Sequence, residues 1–290
     1  MKGPAVTAAS GVESILWDDW HVVAECGQLA DHGRVVTKLF GLPIVIEQGE
    51  APDAPRVYLE SGGAAHSAVK YGYVWACLGT PAREIVDFAE CADDDRWVVN
   101  AGAFGVAVSG LRAVENFLDM SHLCFVHAGY LGEEPHTEVK KYKVSTLPEG
   151  GVLATECKFY QPLASPVATE GFDVDYVYTI LRPYTIMLHK ANPVQPTRSD
   201  MIALFVQPYS EERCIAYMLL VYLKDDLTEA VVRQFAQLIF SQDKPILENQ
   251  LPKRLPLNPR AEIPIRADAA SAAYRTWLRD SGVRFGAIPV

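Results

Sequence analysis

Residues 115–132 read ENFLDMSHLCFVHAGYLG and contain the spacing Asp-x-x-His-x-x-x-x-His, from Asp119 through His122 to His127. The apolar pattern predicts a helix over residues 111–125. Two imidazoles close in sequence, joined by a distant carboxylate, form the facial triad of non-haem Fe(II) sites. On an ideal helix, residues five apart point about 140° away from each other, so both histidines meet only if the helix is distorted or ends between them. Taken alone, the spacing leaves packing or surface roles open for both.

Strand patterns follow this segment, and helical patterns follow the strands. The first helix is predicted over residues 228–249 with Thr228 as its N-cap, and the second over 267–280, closed by Gly282. An antiparallel sheet with helices gathered on one side defines the class α+β. The five predicted strands are Glu138–Thr146, Val152–Tyr160, Phe172–Lys190, Asp200–Pro208 and Arg213–Lys224.

Before the segment, the chain predicts a small antiparallel β unit. HVVAEC, GRVVTKLF and PIVIE are separated by turn residues between His21 and Glu47, and YGYVWACLG is one more buried strand. Between them, Glu50–Ala68 is rich in Gly, Pro, Ala and Ser and is expected to be short and irregular. We therefore divide the chain into residues 1–108 and 109–290.

Composition excludes several classes of protein. The chain has 290 residues, 49% of them hydrophobic, and a net charge of -10 without any basic run, so neither disorder nor nucleic-acid binding is expected. The longest apolar run, Cys214–Leu223, has ten residues, about half of what a membrane helix needs. Residues 1–20 lack a secretory pattern, and the six cysteines are scattered, as expected of reduced thiols in a cytoplasmic protein.

Three motifs, in order, give the chain a resemblance to a known family. The segment 115–132 resembles the iron-binding helix of Rieske non-haem iron oxygenases of the demethylase group, which includes vanillate and dicamba O-demethylases. IFSQDKPILENQLP (239–252) resembles the helix that carries the carboxylate ligand of that group, and RADAASAAYRTWL (266–278) its closing helix. The resemblance implies a helix-and-antiparallel-sheet (Bet v1/START-like) catalytic domain over residues 109–290.

The resemblance also implies roles for individual residues. His122, His127 and Asp243 correspond to the ligands of one mononuclear Fe(II), and Asp119 to the residue that bridges to the electron donor. Asn116 lies one turn before Asp119 and is a candidate to orient that carboxylate, although capping or ordinary hydrogen bonding fits it nearly as well.

The most informative feature is a missing one. Members of the family carry an N-terminal Rieske domain whose [2Fe-2S] cluster needs a C-x-H and a later C-x-x-H. WHVVAECGQL, FGLPIVIEQ and VKYGYVWACLGTP resemble the strands that flank the cluster loops, but no C-x-H occurs in this sequence. Residues 1–108 are therefore expected to be a truncated Rieske-like β domain without [2Fe-2S] ligands.

This architecture is similar to that of methylxanthine N-demethylase subunits that lack a Rieske domain. The implied reaction is O₂-dependent demethylation at N7 of 7-methylxanthine to xanthine and formaldehyde, with NAD(P)H-derived electrons supplied by a Rieske-containing reductase. The implied further partners are a glutathione-transferase-like assembly protein and a Rieske-bearing oxygenase homologue. Two alternatives stay open: demethylation of another aromatic substrate, and a non-catalytic assembly subunit.

Substrate contacts are expected on the helix that carries Asp243. Ala236, Ile239 and Phe240 lie seven, four and three residues before it and share its face, with core packing as the alternative. Gln237 is a further candidate, as a polar contact to a heterocycle.

Overall fold

The computed structural model describes residues 11–51, 53–163, 170–224 and 227–290. Residues 1–10, on which part of the interpretation of the N-terminus depends, lie outside these ranges. The N-terminal elements are α1 (Ser14–Trp17), β1 (His21–Glu25), α2 (Cys26–His32), β2 (Arg34–Leu39), β3 (Leu42–Glu47), β4 (Arg56–Leu59), β5 (His66–Lys70) and β6 (Tyr73–Cys77).

The remaining elements form one large sheet and the helices beside it. They are β7 (Arg96–Val106), α3 (Gly110–Leu118), α4 (Leu123–Val126), β8 (Lys143–Thr146), β9 (Val152–Gln161), β10 (Phe172–Arg182), β11 (Thr185–Ala191), β12 (Ser199–Ser210), β13 (Arg213–Leu223), α5 (Glu229–Asn249), β14 (Leu255–Pro256), α6 (Ala269–Asp280) and β15 (Ala287–Ile288). In the described ranges, none of the helices combines the length and the hydrophobicity of a membrane span.

The N-terminal part contains two three-stranded sheets, ordered β1-β6-β5 and β2-β3-β4. All five residues of β6 are buried, as predicted for YGYVWACLG. The segment 50–68 is more regular than expected, since it includes β4 and the first residues of β5. The alternation of buried Val57 and Leu59 with more exposed neighbours explains β4, although Gly and Pro around it conceal the pattern.

The large sheet has seven strands in the order β7-β13-β12-β11-β10-β9-β8, and each pair of neighbouring strands in it is antiparallel. Strand β7 precedes residue 108 but pairs with β13 inside this sheet, so the large sheet includes residues from both sides of the predicted division. The division at residues 108/109 itself stays a prediction. Strand β7 was not predicted from the sequence, because Gly102 and Gly105 weaken its strand pattern.

One predicted strand is two strands in the structure. The segment 172–190 forms the hairpin β10–β11, whose last pairing joins Arg182 to Thr185. Pro183 lies in the turn, where its missing N–H costs the ladder no hydrogen bond.

Helices α3 and α5 pack on the large sheet, and this confirms the predicted α+β class. The hydroxyl of Thr228 accepts from Val231 N and caps α5, as predicted. Gly282, with a φ of +74°, follows α6. The helix predicted over 111–125 is interrupted, since α3 ends at Leu118 and α4 begins at Leu123.

Candidate metal centre

His122 and His127 lie at the two ends of the single-turn helix α4, immediately before and after Leu123–Val126. The chain leaves α3 at Asp119, whose backbone is extended, and re-enters helical geometry at His122. Because no continuous helix joins the two histidines, their side chains are not held about 140° apart, as they would be on an ideal helix. The Nε2 atoms of the two imidazoles lie 3.2 Å apart.

Helix α5 brings Asp243 to the same point. Its Oδ1 lies 3.1 Å from Nε2 of His127 and 3.3 Å from Nε2 of His122. His127 and Asp243 are buried, and His122 is partly buried. Among the described residues, these three form a group with the donor atoms and spacing of a metal site.

The donor set fits a mononuclear divalent ion. Three ligands that meet an ion at right angles, each at about 2.1–2.2 Å, lie about 3.0 Å from one another. The observed separations of 3.1, 3.2 and 3.3 Å are close to that value. Two imidazoles and one carboxylate on one face of an ion also leave coordination positions for other ligands, as in non-haem Fe(II) oxygenases.

Two side-chain amides orient the triad from outside it. Nδ1 of His127 donates to Oε1 of Gln242 over 2.8 Å, which leaves the Nε2 lone pair facing the other ligands. Nδ2 of Asn116 donates to Oδ1 of Asp243 over 3.1 Å. Asn116 therefore contacts Asp243 and not Asp119, because its side chain points across to α5; of the roles left open by the sequence, an ordinary hydrogen bond is the one that the structure contains. Gln242 was not predicted as a site residue, although it immediately precedes Asp243 in the sequence.

Asp119 lies beside the triad and contacts only one of its members. Its Oδ2 is 3.3 Å from Nδ1 of His122, and its Oδ1 accepts from the backbone N–H of Ser121 over 2.7 Å. Burial raises the pKa of Asp119, but the hydrogen bonds from His122 and Ser121 outweigh it and lower the pKa below the ordinary value. Its side chain is 32% exposed, so Asp119 joins the buried site to the surface.

The charges at the site favour a cation. Burial lowers the pKa of His122, but Asp119 and Asp243 outweigh this effect and raise the pKa to about 9. Burial raises the pKa of Asp243, whereas hydrogen bonds from His122 and His127 lower it, with a net result well below the ordinary range. The negative charges of the two carboxylates therefore stabilise positive charge beside the imidazoles, and a divalent cation would supply that charge.

A mostly apolar cavity of about 110 Å³ adjoins the triad. Ala236, Ile239 and Phe240 line it, at the positions expected on α5. Gln237 is not among the described residues that line it, since its amide donates to the carbonyl of Ala101 in β7 over 2.7 Å. The opposite wall comes from the large sheet and was not predicted from sequence. Its residues include Gln161, Tyr176, Tyr178, Leu188, Lys190, Ile202, Leu204, Met218, Leu220 and Tyr222.

On its other side the site reaches a surface cleft of about 500 Å³, which Asp119 and His122 also line. Ile246 and Ile263 border this cleft and are 53% and 93% exposed. Below it lies a charge cluster of Arg112, Glu115, Glu262 and Arg275. In this cluster Arg112 donates to Glu262 over 2.6 Å, and Arg275 donates to Glu115 over 2.5 Å.

Comparison with known proteins agrees with this architecture. Residues 107–282 match the family of the vanillate O-demethylase oxygenase C-terminal domain. The chain is 41% identical over 275 residues to a probable methylxanthine N7-demethylase of Pseudomonas sp. (strain TJI-51), covering 94% of this chain and 97% of the relative. It is 25% identical over 225 residues to the methylxanthine N1-demethylase of Pseudomonas putida, covering 73% of this chain and 58% of that relative.

Solved structures share the fold. The NdmA protein of Pseudomonas putida CBB5 with caffeine superposes with a TM-score of 0.75 at 18% identity, over 92% of this chain and 91% of that one. Dicamba monooxygenase bound to 3,6-dichlorosalicylic acid gives a TM-score of 0.74 at 14% identity, over 92% and 97% of the two chains. With the family match over more than half of its length, the chain belongs to the vanillate O-demethylase oxygenase family, the demethylase group of the Rieske-type oxygenases.

Proposed function

We propose that this protein is the oxygenase subunit of an N-demethylase that removes the N7 methyl group of 7-methylxanthine. The observation that carries the proposal is the 41% identity to a probable methylxanthine N7-demethylase across 94% of the chain. The three candidate ligands, spaced as one divalent ion requires, support an active role over that of a non-catalytic assembly subunit.

His122, His127 and Asp243 would hold the mononuclear Fe(II) that family membership implies. When bound, the iron supplies the activation of O₂ by two electrons. The overall reaction consumes O₂, two electrons and two protons, and converts the N–CH₃ group to N–CH₂OH with release of water. The C–N bond of the N-hydroxymethyl product then breaks, which leaves N–H on the ring and releases formaldehyde.

The protein's own residues supply orientation and shelter for this chemistry. Gln242 fixes the tautomer of His127, and Asn116 fixes the carboxylate of Asp243. Apolar side chains of Ile239 and Phe240 line the adjoining cavity and keep water from the methyl group that is to react.

The electrons are proposed to come from a separate protein that carries a Rieske cluster. The sequence contains no C-x-H, so the ligand pattern of a Rieske cluster is incomplete in this chain. Asp119 is the proposed bridge to that donor, since it contacts His122 and lines the surface cleft. The exposed Ile246 and Ile263 give this cleft an apolar border suited to a transient protein contact. A Rieske-containing reductase is the proposed partner, with a glutathione-transferase-like assembly protein and a Rieske-bearing oxygenase homologue as further proposed members of the complex.

The test combines metal analysis with a substrate panel. The full chain is loaded anaerobically with Fe(II), mixed with NADH and a Rieske-containing reductase, and supplied with methylated purines or methoxybenzoates. We expect one iron per chain and formaldehyde released in step with O₂ consumption, with 7-methylxanthine as the preferred substrate. The His122→Ala variant is the matched control and should bind no iron.

Two results would contradict the proposal. Coupled turnover of methoxybenzoates without turnover of any methylxanthine would assign the chain to another substrate class. A chain that binds no iron under these conditions would be a non-catalytic subunit.

A further inference from the structure

The sheet wall of the cavity contains a buried polar group that the proposed chemistry does not use. Gln161, the last residue of β9, is 1% exposed and lines the cavity. Its Nε2 donates to the hydroxyl oxygen of Tyr176 in β10. Its Oε1 is buried and has no hydrogen-bond partner among the described residues.

An unpaired buried carbonyl is costly. Leaving such an acceptor without a donor forfeits the solvation of that oxygen, so native proteins rarely keep one without a use. The surrounding wall is largely apolar, with Tyr178 and Leu188 lining the same cavity. A ligand that enters the cavity with an N–H group is the natural partner for Gln161 Oε1.

Tyr176 supplies the complementary group. Its hydroxyl oxygen already accepts from Gln161, so its own proton is left to donate. Tyr176 also lines the cavity and is 3% exposed. The two side chains therefore offer one acceptor and one donor side by side on the same wall.

Lys190 lies across from Tyr176 in the β10–β11 ladder and lines the same wall. It faces Asp200 across the β11–β12 ladder. Burial lowers the pKa of Lys190 and the Asp200 carboxylate opposes this effect, so the proposed site does not include Lys190.

We propose that Gln161 and Tyr176 form a specificity site for a ring lactam, a heterocycle edge that presents an N–H beside a carbonyl. The ring N–H donates to Gln161 Oε1, and the ring carbonyl accepts from the Tyr176 hydroxyl. This inference rests on the proposed function and deepens it, because a xanthine carries such edges at N1 and N3 until they are methylated. The site thereby selects for a substrate without a methyl group on the ring nitrogen that faces Gln161 Oε1.

The test measures binding apart from turnover. Protein loaded anaerobically with Fe(II) is titrated by calorimetry with 7-methylxanthine, 1,7-dimethylxanthine, 3,7-dimethylxanthine and 1,3,7-trimethylxanthine. We expect the trimethyl compound and at least one dimethyl compound to bind about tenfold more weakly than 7-methylxanthine. In Tyr176→Phe and Gln161→Leu this difference should shrink to about twofold, mainly because 7-methylxanthine loses affinity. Tyr58→Phe, the same substitution in the small sheet β2-β3-β4, should keep the full difference.

The outcomes separate the two proposals. Equal binding of all four ligands to the unmodified protein, or variants that keep the full discrimination, would overturn the lactam site even if formaldehyde is released. Discrimination that depends on Gln161 and Tyr176, without any formaldehyde when O₂ and the reductase are added, would support the site and overturn the proposed reaction. Circular dichroism of both variants checks that they fold.

Discussion

Asn116 in α3 donates a hydrogen bond of 3.1 Å to the Oδ1 atom of Asp243 in α5, the same oxygen that faces both histidines. This contact fixes the rotation of the carboxylate across two helices. Removing it in Asn116→Ala should lower iron affinity or activity about 10- to 100-fold, the usual effect of losing such a supporting contact. Iron titration followed by metal analysis measures the loss. Asn116→Asp, which places a like charge beside Asp243, should do no better.

Gln242 allows a matched pair of variants. Gln242→Leu removes the acceptor for Nδ1 of His127 and should weaken iron binding about 10- to 100-fold, since the imidazole loses its fixed tautomer. Gln242→Glu retains an acceptor at the same place and should stay within about threefold of the unmodified protein. If both variants bind iron alike, the hydrogen bond does not orient His127.

Asp119 should separate iron binding from turnover. It lies outside the group of three candidate ligands and contacts His122 through Nδ1, so Asp119→Asn should retain most of the iron. Formaldehyde release should nevertheless fall by about 100-fold or more, because the proposed path from the electron donor passes through this carboxylate. The same substitution at exposed Asp31 serves as the control. Full activity of Asp119→Asn would remove the bridge from the proposal.

The charge cluster beneath the surface cleft predicts a pH dependence of stability. Burial raises the pKa of Glu262, but hydrogen bonds from Arg112 and Arg275 outweigh it and hold the pKa below its ordinary value of 4.5. A depressed folded-state pKa contributes stability above pH 4.5, and that contribution is lost as the pH falls through the folded pKa.

Glu262→Gln should therefore flatten the fall in unfolding free energy below that pH. At pH 7 it should cost about 1–2 kcal/mol, less than a fully buried pair, because Glu262 is 35% exposed. Urea denaturation at a series of pH values measures both effects. Parallel curves for the two proteins below pH 4.5 would show that another group governs acid stability.

Gly132 predicts a steric effect on the metal centre. A Cβ at this position would lie 2.7 Å from the backbone nitrogen of Cys124 and 2.9 Å from the carbonyl carbon of Leu123, both in α4. Gly132→Ala should displace the turn that separates His122 from His127, costing about 1–3 kcal/mol of stability together with iron affinity. Gly27→Ala in α2, where an added Cβ meets nothing within 4 Å, should be neutral or slightly stabilising. Thermal unfolding and iron titration of the two variants provide the comparison.

Regular, strongly patterned elements were predictable from the sequence, and contacts across the chain were not. The cap at Thr228, the buried strand 73–77 and the antiparallel sheet follow from local signals. The five-residue spacing of the histidines required either a distorted helix or the end of a helix between them, and the sequence did not decide which. The structure interrupts the helix between α3 and α4. Strand β7 was not predicted because its glycines weaken the alternation typical of a strand. For Asn116 the candidate partner was Asp119, the carboxylate one turn away in sequence, whereas its hydrogen bond goes to Asp243 in α5. Gln161 gave no signal, since nothing local marks a strand glutamine as facing a cavity.

One wall of the cavity carries a candidate iron ligand, and the opposite wall carries none. Helix α5 carries Asp243 together with Ile239 and Phe240, so a change on that wall also disturbs the carboxylate proposed to bind iron. Strands β9 and β10 line the cavity through Gln161 and Tyr176 without contributing to the triad. Substitutions confined to these strands, in evolution or in a library of variants, can therefore change the substrate range without altering the three candidate iron ligands. One catalytic scaffold can in this way diverge to serve several substrates by changing only its sheet.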